Sequence, residues 1–169
     1  TGIDTSDAEG NTRTRGAAPD IGCYEYDPDY VPVEDVYYVK PDGSDSNDGR
    51  SEDNAFATIG AALDRAADGA EIRVAAGEYE ISDQLNVTNA IRLVGAGRDT
   101  TIVKAAATGF RILRVDNVMA LVEGFTFRDA SMAEAPSGAS YSSGGVGVLI
   151  NVGGTVQDCR ITNNRLTAN

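Results

Sequence analysis

The densest group of oxygen ligands in this 169-residue chain is the run "DGSDSNDGRSED", which holds Asp42, Asp45, Asn47, Asp48, Glu52 and Asp53. Hard oxygen donors close together in sequence are what Ca2+ requires. Asp42, Asp45, Asn47, Asp48 and Asp53 are therefore the candidate metal ligands, and Ca2+ is the cofactor they suggest. The spacing departs from the EF-hand loop, because Asp48 and Gly49 fall one residue early. The same composition also suits an Asx-turn loop, in which Asp and Asn bond nearby backbone. Both readings stand at this level. A second acidic stretch, Asp4, Asp7 and Glu9, is weaker.

Histidine is absent. That excludes Ser-His-Asp and Cys-His catalysis, His-ligated zinc and a histidine base. Carboxylates, Arg, Lys40, Lys104, Tyr and hydroxyls remain, and no acid–base constellation emerges, so no catalytic residue is assigned. "VGAGRDT" lacks the third Gly and the following helix of a phosphate loop, so it reads as a turn between strands. The loop 131–145 places Tyr141 among Ser and Gly. The net charge of −12 argues against nucleic acid and anionic membrane as partners. No window is long and apolar enough for a membrane helix. Two distant cysteines, Cys23 and Cys159, read as small buried hydrophobes, with pairing between them left open.

The elements that must position these residues are mostly short strands. "IGCYEY" alternates, with Ile21 and Cys23 on one side. "DPDYVPVED" is an acidic, Pro-containing spacer, and "VYYV" (Val36 to Val39) is a strand stopped by Pro41 and Gly43. One helix is predicted over 58–67, with Ile59, Ala62, Leu63 and Ala66 on one face, Thr58 as cap and Gly69 as terminator. Its narrow, Ala-rich stripe suits a lid. Beyond Gly69, short strands are broken by Gly, Asn and Asp.

These strands repeat weakly. Aligning "NAIRLVGAG" (89–97), "VMALVEGFTF" (118–127) and "GGTVQDCRIT" (153–162) superposes Leu93, Val122 and Val156, at offsets of 29 and 34 residues. Gly95, Gly124 and Asp158 then align, and Asn89, Asn117 and Asn163–Asn164 recur at the unit edges. A strand-only repeat of this size predicts a solenoid, with apolar columns inside and turn Asn side chains forming ladders. Such a stack has open ends that need covering.

Residues 37–164 resemble a known family. "YYVKPDGSDSNDGRSEDNAFATIGAALDRAADGAEIRVAAGEYEI" followed by "IRLVGAGRDTTIV" is similar to the opening of the right-handed parallel β-helix of the pectate-lyase-like superfamily. "GGTVQDCRITNN" resembles its repeating coil. The resemblance implies an all-β parallel β-helix with a short N-terminal capping helix, in a secreted or surface protein of bacteria. "DAEGNTRTRGAAPDIGCYEY" (7–26) resembles a segment that closes such domains. Residues 1–30 are then the end of a preceding β-helix or a strand over an open end, 31–36 a linker, and 37–169 the cap and first coils of a second helix. Ile21, Cys23, Tyr24 and Tyr26, with Ile59 and Leu63 of the helix, are the expected interface and end-cap residues.

Two functions remain open. The preferred one is an extracellular structural or adhesive module that self-assembles through open coil ends or meets a polysaccharide or a neighbouring β-helix. The other is a fragment of a polysaccharide lyase or glycoside hydrolase acting on acidic glycans. Related lyases need acids at equivalent positions on neighbouring coils. Here the outward row is Val94, Glu123 and Gln157, and Arg92, Arg114, Arg128 and Arg160 read as solvated strand-face residues.

Overall fold

The computed structural model describes residues 35–133 and 145–167, all within the unit Val31–Asn169. The expectations for Ile21, Cys23, Tyr24 and Tyr26, and for residues 1–30 as a segment, lie outside the described residues.

The described chain is mostly β. It runs β1 (Val36–Val39), α1 (Ile59–Arg65), β2 (Glu71–Val74), β3 (Gly77–Ile81), β4 (Leu85–Val87), β5 (Arg92–Gly95), β6 (Thr101–Ala105), β7 (Leu113–Glu123), β8 (Thr126–Arg128), β9 (Ser131–Ala133), β10 (Val148–Gln157), β11 (Arg160–Thr162) and β12 (Arg165–Thr167). The first strand takes the last residue of the expected linker. One sheet has the order β1-β2-β5-β7-β10, with β4 also on β7; a second is β3-β6-β8-β11; a third pairs β9 with β12. Every one of these pairings is parallel.

Period-2 alternation in each strand becomes rows of apolar side chains across strands. Tyr37, Ile72, Leu93, Val122 and Val156 are successive register partners. The aligned triplet Leu93, Val122 and Val156 is thus a physical row. Tyr79, Val103, Phe127 and Ile161 form a second. Ile72, Leu93, Val103, Val122 and Phe127 are fully buried, each removing about 1.5–3 kcal/mol of apolar exposure. Gly95 and Gly124 face each other where the backbones converge. Gly124 has φ +80, and a Cβ there would sit 2.6 Å from the Gly95 carbonyl oxygen, so both need the missing side chain.

The predicted helix exists but is shorter. Thr58 caps it, its hydroxyl accepting from the Ala61 N–H at 3.2 Å. It stops at Ala66, not Gly69, because Ala66 turns to an extended conformation while its carbonyl accepts from Asn89 Nδ2 at 2.6 Å. A tertiary bond replaces the expected glycine terminator. Ile59 and Ala62 are buried, Leu63 is half-buried against the core, and the helix packs on β1, β2 and β4.

Of the turn Asn residues, Asn163 donates to the Asp129 carboxylate 34 residues back, a side-chain rung of the expected kind. Asn89, Asn117 and Asn164 instead reach back to backbone carbonyls of Ala66, Thr88 and Phe127. Buried carbonyls at turns need donors, and an amide supplies one without a strand.

The two outer edges of the largest sheet differ. The free side of β1 is bonded by the chain itself: Tyr38 N–H donates to Gly49 O, Phe56 N–H to Tyr38 O, and Lys40 N–H to Phe56 O, all within 2.8–2.9 Å. The expected open end is therefore closed at β1, while β3 is the end strand of the second sheet among the described residues. At the other side, β10 and β11 are the last strands of their sheets among the described residues. There Ile150 is 45%, Ile161 54% and Leu166 55% exposed, although Val115 and Phe127, the partners of Ile150 and Ile161, are fully buried.

Candidate functional site

The acidic loop closes the β1 edge, and its side chains serve that task. Asp45 Oδ1 accepts from the N–H groups of Ala57 and Thr58, and its Oδ2 from the Thr58 hydroxyl, each at 2.9 Å. Asn47 Nδ2 donates to Ala55 O at 2.9 Å. Asp48 accepts from the Arg50 N–H two residues on, at 3.1 Å, which is an Asx turn. Asp42 lies 3.9 Å from Lys40. Among the described residues no three Asp, Glu or Cys side chains gather as a metal-holding group. Asp42, Asp45, Asn47, Asp48 and Asp53 are thus spread along a loop whose bonds run to its own backbone and to the helix cap.

The outer face of the largest sheet carries a charge row that sequence spacing only partly revealed. Tyr38, Arg73, Val94, Glu123 and Gln157 are register partners across five strands. Glu71 and Arg92 are partners in the neighbouring row. Glu71 is buried at 6% exposure. Both its oxygens are held, one by Arg73 Nε at 2.6 Å and the other by Arg92 Nη1 at 2.8 Å. A buried carboxylate requires such pairing. The bond to Glu71 raises the Arg73 guanidinium above its ordinary value. Arg92 continues to Glu123 at 3.7 Å, and Glu123 accepts from Gln157 Nε2 at 2.7 Å. The signal for Glu71 was the "EIRV" strand, whose first residue alternates outward yet faces two arginines.

Arg92, Arg114, Arg128 and Arg160 lie on strand surfaces as expected, and each faces an acid: Glu71, Asp116, Glu78 and Asp99 respectively. Lys104 and Arg128 converge on Glu78 and hold its carboxyl below the usual range. Cys159 is half-buried against the core, and burial pushes its thiol up; Cys23 lies outside the described residues.

Over β1, β2 and β5 this face opens into a groove of about 480 Å³. Tyr38, Arg73 and Val94 form one wall, and Ala75, Gly95 and Ala96 contribute small groups beside them. Lys40, Glu52 and Asp53 close the end nearest the acidic loop. The Arg73 guanidinium carbon lies 6.0 Å from the centre of the Tyr38 ring, so the ring and the bond to Glu71 together fix its orientation. Comparison with protein-family models, curated proteins and solved structures finds no match to this chain.

Proposed function

We propose that the chain is a right-handed parallel β-helix module of the pectate-lyase-like kind. On this reading it is a non-catalytic structural or adhesive unit of a secreted or surface protein, and it pairs with a second copy through the β10–β11–β12 end. All-parallel pairing with register steps of 21, 29 and 34 residues supports stacked circuits about 4.8 Å apart. Parallel crossovers are almost always right-handed. Helix α1 and the acidic loop then act as the cap of the first circuit.

The observation that carries the assembly reading is the contrast within single rows. Phe127 is fully buried, and its next partner, Ile161, is 54% exposed on β11, the last strand of its sheet among the described residues. Exposed apolar edges are templates for pairing. The chain's own backbone already bonds the free side of β1, and this favours like ends meeting about a two-fold axis in a closed dimer. A lyase reading gains no support from the outward row, where each acid is neutralised by Arg or bonded to Gln.

Sedimentation velocity over a wide concentration range tests this. The expected result is a monomer–dimer equilibrium that Ile161→Lys with Leu166→Lys shifts to monomer. A monomer at every concentration, or an open-ended series of larger species, overturns it.

A further inference from the structure

We propose that the free edge of β3 takes an extended basic segment of another protein as an added strand, a docking site separate from the β10–β11–β12 end.

β3 ends the second sheet, with only β6 beside it among the described residues. Gly77 N–H donates to Thr100 O, and Ile81 O accepts from Ala106 N–H, both at 2.8 Å. The register between these bonds commits Gly77, Tyr79 and Ile81 to β6. Successive residues of a strand turn their backbone groups to opposite edges. The N–H and C=O of Glu78 and Glu80 therefore point away from the sheet, and none of these groups is hydrogen-bonded among the described residues. The chain bonds the free side of β1 with its own loop but leaves this edge open. Such an edge is a template for a further strand.

Charge selects which strand. Glu78 and Glu80 are exposed on the outer face, while Tyr79 and Ile81 turn inward and are buried. Lys104 and Arg128, the cations that face these glutamates, sit on β6 and β8, on the side away from the free edge. Lys104 holds one oxygen of Glu80, whose side chain is still 61% exposed. Asp83 stands exposed just past the strand. At its start, Pro41 packs on Gly77, where a Cβ would lie 2.4 Å from its Cγ, and this brings in Asp42, with Lys40 at 3.9 Å from it. A second copy of β3 would set its own glutamates against these, and like charges across strands repel. A strand with Arg or Lys at alternate positions places cations beside Glu78 and Glu80 instead. The residues between them face the side on which Tyr79 and Ile81 are already covered, which favours small side chains. The acids that keep ordinary strands off the edge thus admit a basic one.

Fluorescence anisotropy of labelled peptides with the full chain tests this. Arg-Thr-Arg-Thr-Arg, which matches the five residues of β3, should bind saturably, and Glu-Thr-Glu-Thr-Glu should not. Spermine, which has the charge without the backbone, should compete about tenfold less well than unlabelled peptide. Glu80→Gln removes the charge and should weaken binding about threefold. Glu80→Pro removes the same charge and also the free-side N–H, without touching a bond to β6, and should weaken it about tenfold or more. Should Glu80→Pro change the far-ultraviolet circular dichroism, Glu80→Gln and a basic peptide methylated at its backbone amides, which should not bind, carry the test. No saturable binding of the basic peptide, equal competition by spermine, equal loss in the two Glu80 variants while both stay folded, or undiminished binding of the methylated peptide overturns the proposal.

Discussion

Asp45 holds three donors at once, two backbone N–H groups and the Thr58 hydroxyl, at the point where the loop enters α1. Thr58 in turn accepts from Ala61. Removing a capping side chain costs about 0.5–2 kcal/mol, and groups in one network do not add. Asp45→Ala should therefore lower stability by about 1–2 kcal/mol in urea unfolding, and the double variant with Thr58→Ala should cost less than the sum of the singles. The sequence displayed the acids but not their use, because Ala57 and Thr58 lie a dozen residues away. Glu78 gives a pH prediction. Lys104 and Arg128 depress its carboxyl, so its stabilisation is present above pH 4.5, the usual glutamate value, and is lost as pH falls through the folded-state value. The gap in melting temperature between the parent and Glu78→Gln should be widest near neutrality and shrink on acidification. A gap constant from pH 7 to pH 3 would show that the ion pairs contribute nothing.

At the scale of elements, local signals carried far. Alternation and glycine placement aligned Leu93 with Val122 and Val156, and the strands pair in that register, because a one-residue slip would turn every apolar side chain outward. The groove was not legible in the same way. Its wall joins Tyr38 to Arg73 and Arg73 to Val94, and the step from Ile72 to Leu93 is shorter than the repeat period visible in later strands. The helix terminus was misplaced for a related reason, since the Asn89 bond to Ala66 comes from a distant turn. Position in the row sets the cost of truncation. Leu93 is fully buried between Ile72 and Val122, so Leu93→Ala should cost about 2–5 kcal/mol. Ile161, half in water at the last strand, should cost well under that when truncated in dilute solution. Equal losses measured by denaturant midpoint would mean that Ile161 is covered by something in the monomer.

For the whole molecule, the asymmetry between its two edges links stability to association. The β1 side spends its backbone donors and acceptors on Gly49 and Phe56, and the β10–β11–β12 side leaves Ile150, Ile161 and Leu166 in water. A partner that binds only the folded chain raises apparent stability by mass action. If that partner is a second copy, the melting temperature must climb with protein concentration. A domain of this size shifts by about 2–4 °C for each kcal/mol, so a hundredfold range of concentration should move the midpoint by several degrees. Ile161→Lys removes the apolar contact and places like charges across the two-fold axis, so it should flatten this dependence while leaving the dilute melting temperature nearly unchanged. A substitution that instead lowered the dilute value and kept the slope would assign Ile161 to the monomer's own core and move the contact between copies elsewhere on the surface.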